Sequence, residues 1–169
     1  MIGSAINLLY LSFVKKRLTE QEAREKINRY CAYQERSHLE VRNKLYEYGL
    51  FRDEVDEIIS SLISDGFLNE ERFAKVFAGG KFRMKKWGRI KIVHALEAKG
   101  VTKNCIRLAL NEIDDESYKE TLSRLIDEKS PALSDEKNEY VRRDKLSKFL
   151  IKRGFEPELV WTTINAMVR

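Results

Sequence analysis

Apolar residues recur along this chain in one frame, three times over. Leucine, three residues, glycine and an apolar residue follow one another at Leu45–Gly49–Leu50, Leu96–Gly100–Val101 and Leu150–Gly154–Phe155. Counted from the glycine, position −8 is Val41, Ile92 and Leu146, position +6 is Val55, Ile106 and Val160, and position +10 is Ile59, Leu110 and Ile164. Residues four apart are neighbours on a helix surface, so the positions before the glycine share one helical face and those after it share another. Glycine past the last helical turn takes the left-handed backbone cheaply, so each frame predicts a helix, a stop and a second helix. The glycines stand 51 and 54 residues apart, which marks an internal repeat.

A further helix precedes each frame. Thr19 with Glu22 and Ser37 with Glu40 form capping boxes, and Asn69 is a good N-cap. The helix after Asn69 is expected to bury Phe73, Phe77, Gly80 and Met84. The last repeat begins near Asp114, Pro131 ends its first helix, Ser134 is placed to cap the next and Pro157 suits a first turn. No stretch alternates with period two, so no strand is expected. The predicted fold is all-α: three tandem three-helix repeats, at residues 19–66, 67–113 and 114–169, stacked into an elongated, curved array. Residues 1–18 stand apart as a leader or docking helix.

Composition narrows the class. Charged residues make up 35% and hydrophobic ones 43% of the 169, with 32 basic against 27 acidic and a net charge of +5, which excludes a disordered tail. The 2 Pro and 8 Gly leave room for long helices. The run Met1–Val14 carries no charge, but is too short for a span of roughly 18–20 residues and lacks the basic start of a secretory signal. A cytoplasmic protein is expected. Cys31 and Cys105 read as reduced thiols. No carboxylate or thiol stands at ligand spacing from His38 or His94, and Gly79-Gly80 lacks the context of a phosphate loop. No enzyme, metal or cofactor is therefore expected. Phe73, Phe77, Phe149 and Phe155 read as core, Arg36 and Arg72 as structural, and Tyr33, Tyr46 and Tyr48 as either core or a stacking platform.

The stretch Arg36-Ser-His-Leu-Glu40-Val-Arg-Asn-Lys44-Leu45, followed by Gly49 and then by Asp65-Gly66-Phe67-Leu-Asn69-Glu-Glu-Arg72-Phe73-Ala74, resembles the RecX family of recombinase regulators. Gly88, the Leu96–Gly100 segment and the Phe149–Phe155 segment match as well, and the resemblance covers roughly residues 20 to 168. Family members often have Asp where Asn69 stands, a change that keeps the cap. The resemblance implies a non-enzymatic regulator without a cofactor that acts in DNA repair, recombination and the SOS response. Its implied partner is the RecA recombinase, mainly as a filament on single-stranded DNA. Members lie in the filament groove and suppress strand exchange, ATP hydrolysis and co-protease activity.

Charge is banded. Residues 75–107 carry ten basic residues and one acidic residue, Glu97, residues 53–71 carry seven acidic and no basic ones, and residues 137–153 carry seven basic ones against Glu139 and Asp144. Such banding raises local potentials that the net charge conceals. The bland reading is a solvated helix face. The functional reading is a partner-binding platform made of Lys75, Arg83, Lys85, Lys86, Trp87, Arg89 and Lys91, with Arg142, Arg143, Lys145, Lys148 and Lys152. Lys75 and Lys86, about three turns apart, should share one helical face, and little core should depend on Lys85, Lys86, Arg89 or Lys91. The partner is expected to be an acidic protein groove, with DNA phosphates as a secondary contact, no membrane, and the protein acting as a monomer. The alternative is a basic helical DNA-binding or architectural protein. The acidic band favours a protein partner, because a phosphate backbone would repel it.

Overall fold

The glycine frames fold as helix, stop and helix. In the computed structural model, which describes residues 17–167, nine α-helices follow one another: α1 Glu20–Tyr33, α2 His38–Glu47, α3 Arg52–Ser64, α4 Glu70–Lys85, α5 Arg89–Glu97, α6 Lys103–Leu110, α7 Asp115–Lys129, α8 Glu139–Lys152 and α9 Pro157–Met167, with a 3₁₀ turn at Ser130–Leu133. Among the described residues there is no strand. The leader or docking helix expected in residues 1–18 lies outside the described residues, apart from Arg17 and Leu18.

Gly49, Gly100 and Gly154 all have positive φ, at 86°, 73° and 93°. In each frame the N–H after the glycine reaches back to the carbonyl of the frame's leucine: Leu50 to Leu45 at 3.4 Å, Val101 to Leu96 at 3.2 Å and Phe155 to Leu150 at 3.3 Å. That bond satisfies an orphan helix-end carbonyl and turns the apolar residue back onto the helix it has just left. All the apolar frame positions are buried except Leu110, which is partly buried.

Caps set the starts. Thr19 accepts from the Glu22 N–H at 3.3 Å and Ser37 from the Glu40 N–H at 3.2 Å, each with the returning carboxylate bond. Asp114 caps α7 by accepting from the Ser117 N–H at 2.8 Å. Asn138, rather than Ser134, caps α8, accepting from the N–H groups of Tyr140 and Val141; Ser134 is still occupied by the 3₁₀ turn, its own N–H bonded to the Pro131 carbonyl.

The chain divides after Glu70 into two compact units. Helices α1–α3 enclose the first core, built on Ala23, Ile27, Val41, Leu45, Val55 and Ile58. Helices α4–α9 share the second, from Phe73 to Ile164, so the second and third helix triplets pack as one body. In α4 the buried stripe is Phe73, Ala74, Ala78 and Phe82, and Met84 is 80% exposed. The expected stripe is thus rolled towards Ala74, Ala78 and Gly79, small residues that add little hydropathy but let neighbours approach. Gly80 lies in α4 with nothing within 4 Å of where a Cβ would stand. Gly80→Ala is expected to raise stability by up to about 1 kcal/mol, because alanine loses less backbone entropy in a helix; urea denaturation measures it.

Candidate partner-binding surface

Helix α4 ends at Lys85, and Lys86 follows in the left-handed region at φ 53°. Its ammonium folds back onto the Arg83 carbonyl at 2.7 Å. Two residues later the chain meets the end of α8. The Gly88 N–H donates to the Arg153 carbonyl at 2.9 Å, and the Ile90 N–H to the Gly154 carbonyl at 3.0 Å. The first N–H groups of one helix and the last carbonyls of another lack partners of their own, so the two ends satisfy each other, with dipoles of opposite sign in contact. Only glycine permits the approach. A Cβ on Gly88 would stand 2.1 Å from the carbonyl atoms of Gly154, and one on Gly154 would stand 2.3 Å from the Lys91 Cβ.

Tyr118 of α7 closes this joint from inside. Its ring packs on Phe155 and Phe82, with centroids 5.0 and 5.7 Å away. Its hydroxyl accepts from the Arg89 backbone N–H at 2.9 Å and donates to Glu156 Oε2 at 2.7 Å. Burial holds this phenol well above the usual tyrosine range, so it stays a neutral donor. The Arg89 guanidinium lies over the same ring, 4.2 Å from its centroid, and bonds the Ile113 carbonyl at 3.1 Å and Asp115 at 2.5 Å.

The joint sets two sequence-distant basic segments side by side. Arg153 donates to the Lys85 carbonyl at 3.2 Å, so the end of α4, the start of α5 and the end of α8 meet there with Lys85, Lys91, Lys152 and Arg153. Lys81 and Lys91 stand over the Trp87 ring at 5.2 and 4.7 Å, and Arg153 over Phe149 at 4.8 Å. Such stacking holds cations in place without neutralising them. Arg83, Lys85 and Lys152 are exposed and pair with no carboxylate among the described residues.

The remaining candidates lie elsewhere. Lys75 pairs with Glu71 at 2.8 Å and stands 3.9 Å from Glu112; the bond to Glu71 raises its pKa. It is ten residues up α4 from Lys85, about 15 Å. It shares no helical face with Lys86, since the helix has ended before that residue. Arg142 and Arg143 sit near the start of α8, with Arg143 bonded to Glu139 and to Asn165, and Lys145 holds Glu136 at 2.8 Å, lowering that carboxyl's pKa. Lys148 pairs with Asp144 at 2.7 Å.

Arg89 needs a correction. The banding makes it one more surface cation, whereas its guanidinium is a strut between α5 and the start of α7, and its reversal would not leave the fold intact. Lys86 is likewise part of a helix stop. Charge counting places Lys81 and Arg153 in the basic bands without selecting them for the platform, and it does not select Tyr118 at all. The signal for Arg153 is its place beside a frame glycine; Tyr118 carries none, because its partners lie 29 and 38 residues away.

Three of the seven carboxylates of the acidic band are answered within the first unit: Arg17 pairs with Glu54 at 2.5 Å, Arg42 with Asp56 at 2.5 Å and Arg24 with Glu57 at 3.0 Å. Arg36 lies over the Tyr30 ring at 3.8 Å. Phe73 and Phe155 are buried, Phe77 and Phe149 pack partly buried against the core, Tyr48 does so in the first unit, and Tyr33 and Tyr46 are exposed. Burial pushes the Cys31 thiol up to about 11, which keeps it protonated and unreactive at neutral pH. Among the described residues no three His, Cys, Asp or Glu are grouped to hold a metal ion, and no helix is long and apolar enough to cross a membrane.

Known proteins match this architecture. The second three-helix domain of RecX matches residues 69–110. Regulatory protein RecX of Pelodictyon phaeoclathratiforme is 33% identical over 136 residues, which cover 79% of this chain and 80% of that protein. The Clostridium perfringens (strain 13 / Type A) and Lactobacillus johnsonii proteins of the same name are 32% and 29% identical over 77% and 93% of this chain. The chain spans just under three fifths of the length of those two relatives, 59% and 58%. The crystal structure of RecX from Lactobacillus salivarius superposes with a TM-score of 0.80 at 23% identity, over 88% of this chain and 96% of that one; it shares the fold.

Proposed function

This chain belongs to the RecX family of regulatory proteins, and on that premise we propose that it binds the RecA recombinase, chiefly as its filament on single-stranded DNA, and restrains strand exchange, ATP hydrolysis and co-protease activity. The observation that carries this reading is the meeting of two basic segments at the Gly88–Gly154 joint, where backbone hydrogen bonds bring the segments that carry Lys85, Lys91 and Lys152 together. An extended acidic groove is the partner that such a ridge suits, because each cation gains from several carboxylates or phosphates at once. Binding, rather than chemistry, is the activity: the regulator occupies the surface on which strand exchange takes place.

Sedimentation with RecA filaments on single-stranded DNA tests this, with the DNA alone in parallel. The protein is expected to pellet with filaments, and less so as salt rises, since screening shortens to about 8 Å at physiological ionic strength. Equal pelleting with naked DNA would make the phosphates the partner. No pelleting with either would remove the reading.

A further inference from the structure

We propose that Tyr118 is a positioning residue for binding: its hydroxyl fixes the two basic segments, residues 81–91 and 148–153, in one register, so that their cations act as a single surface. This rests on the ridge being the partner-binding surface.

The hydroxyl sits where three elements meet. It comes from α7, accepts from the first N–H of α5 and donates to Glu156, whose own carbonyl accepts from Val160 at 2.9 Å and so starts α9. One oxygen thus ties the segment that follows α4 to the segment that follows α8. The backbone bonds from Gly88 and Ile90 flank it on either side of Arg89. Removing the oxygen leaves the Arg89 N–H and the Glu156 carboxylate in a partly buried site without their shared partner, and such orphaned groups draw water in. The ring contacts with Phe82, Phe155 and Arg89 need no hydroxyl. Tyr118→Phe therefore separates positioning from packing.

The whole chain is used, and amide exchange is read first, without a partner. In Tyr118→Phe the Gly88, Arg89 and Ile90 amides are expected to exchange about three- to tenfold faster, the range of one hydrogen bond's net worth. The amides of Leu122 and Leu146, deep in the same core, should keep their rates. Glu156→Ala should repeat the pattern, and Glu156→Gln, which keeps an acceptor for the hydroxyl, should restore native rates. Uniform acceleration across the unit would show a general stabilising role and overturn the proposal, as would unchanged exchange at the joint.

Filament pelleting comes second, with Lys85→Glu/Lys152→Glu as the companion variant. Tyr118→Phe and Glu156→Ala are expected to weaken binding about three- to tenfold, and Glu156→Gln to bind as the native chain does. If the lysine reversal weakens binding while Tyr118→Phe loosens the joint and binds normally, the positioning role fails and the ridge stands. If the lysine reversal changes nothing, the ridge reading fails, and the positioning role goes with it.

Discussion

Gly88→Ala and Gly154→Ala are each expected to destabilise the second unit by more than about 3 kcal/mol, enough to leave much of it unfolded at physiological temperature. The added methyl at Gly88 would lie 2.1 Å from Gly154 C and O and 2.2 Å from the Phe155 nitrogen. These are backbone atoms that no rotamer change can move. At Gly154 two costs combine: φ of 93° and a neighbour, the Lys91 Cβ, at 2.3 Å. Gly66 supplies the comparison, because its φ is 74° with nothing within 4 Å of the added carbon, so Gly66→Ala should cost only about 1–2 kcal/mol. Gly100→Val, at a φ of 73°, should cost at least as much as Gly66→Ala, because a β-branched side chain is strained in the left-handed region. The chain's 2 tryptophans, Trp87 and Trp161, both lie in the second unit, so fluorescence during urea denaturation reads that unit by itself; Gly66 belongs to the first unit, and its loss is read from the helical circular-dichroism transition. Equal losses at Gly66 and Gly154 would mean that the joint is looser than its geometry states.

The contrast between these glycines also shows where reading the chain residue by residue succeeds. Gly49, Gly100 and Gly154 were legible as stops because a helix end is a local event: leucine, glycine and following apolar residue fall within six positions, and the N–H of the last bonds the carbonyl of the first. Caps are local in the same way, hence Thr19 and Ser37. Ser134 misled because a 3₁₀ turn intervenes before α8, and turn length leaves little mark on composition. The roll of α4 was hidden because Ala74, Ala78 and Gly79 bury backbone without adding hydropathy, whereas Met84 adds hydropathy at a helix end that outruns the core. The Gly88–Gly154 joint had no local signature. Its two sides lie more than sixty residues apart, and Gly88 alone reads as a loop glycine. Charge behaved alike: the basic bands were visible, but which cations are struts depends on partners such as Asp115 and Ile113, brought to Arg89 only by folding.

That sorting changes which charges should be reversed. Reversing Arg83, Lys85 and Lys152 to Glu is expected to weaken binding to RecA filaments about ten- to a hundredfold while leaving thermal unfolding within about 4 °C of native. The three are exposed and make no ion pair among the described residues, so their loss breaks no internal ion pair, and surface substitutions of this kind seldom move stability by more than about 0.5 kcal/mol. Each exposed pair with a partner carboxylate or phosphate is worth about 0.2–1 kcal/mol, and reversal replaces that attraction with repulsion. Arg89→Glu should behave in the opposite way: it sets a carboxylate against Asp115 and the Ile113 carbonyl, so melting should fall before binding is measured. Reversing Asp53 in the acidic band supplies the sign control. Asp53→Lys should leave filament binding near native, and it should strengthen retention on naked single-stranded DNA only if phosphates are the main partner. A triple reversal that still pellets with filaments at native concentration and salt would take the ridge out of the binding surface, and native melting in that variant would show that the failure lies in the site and not in the fold.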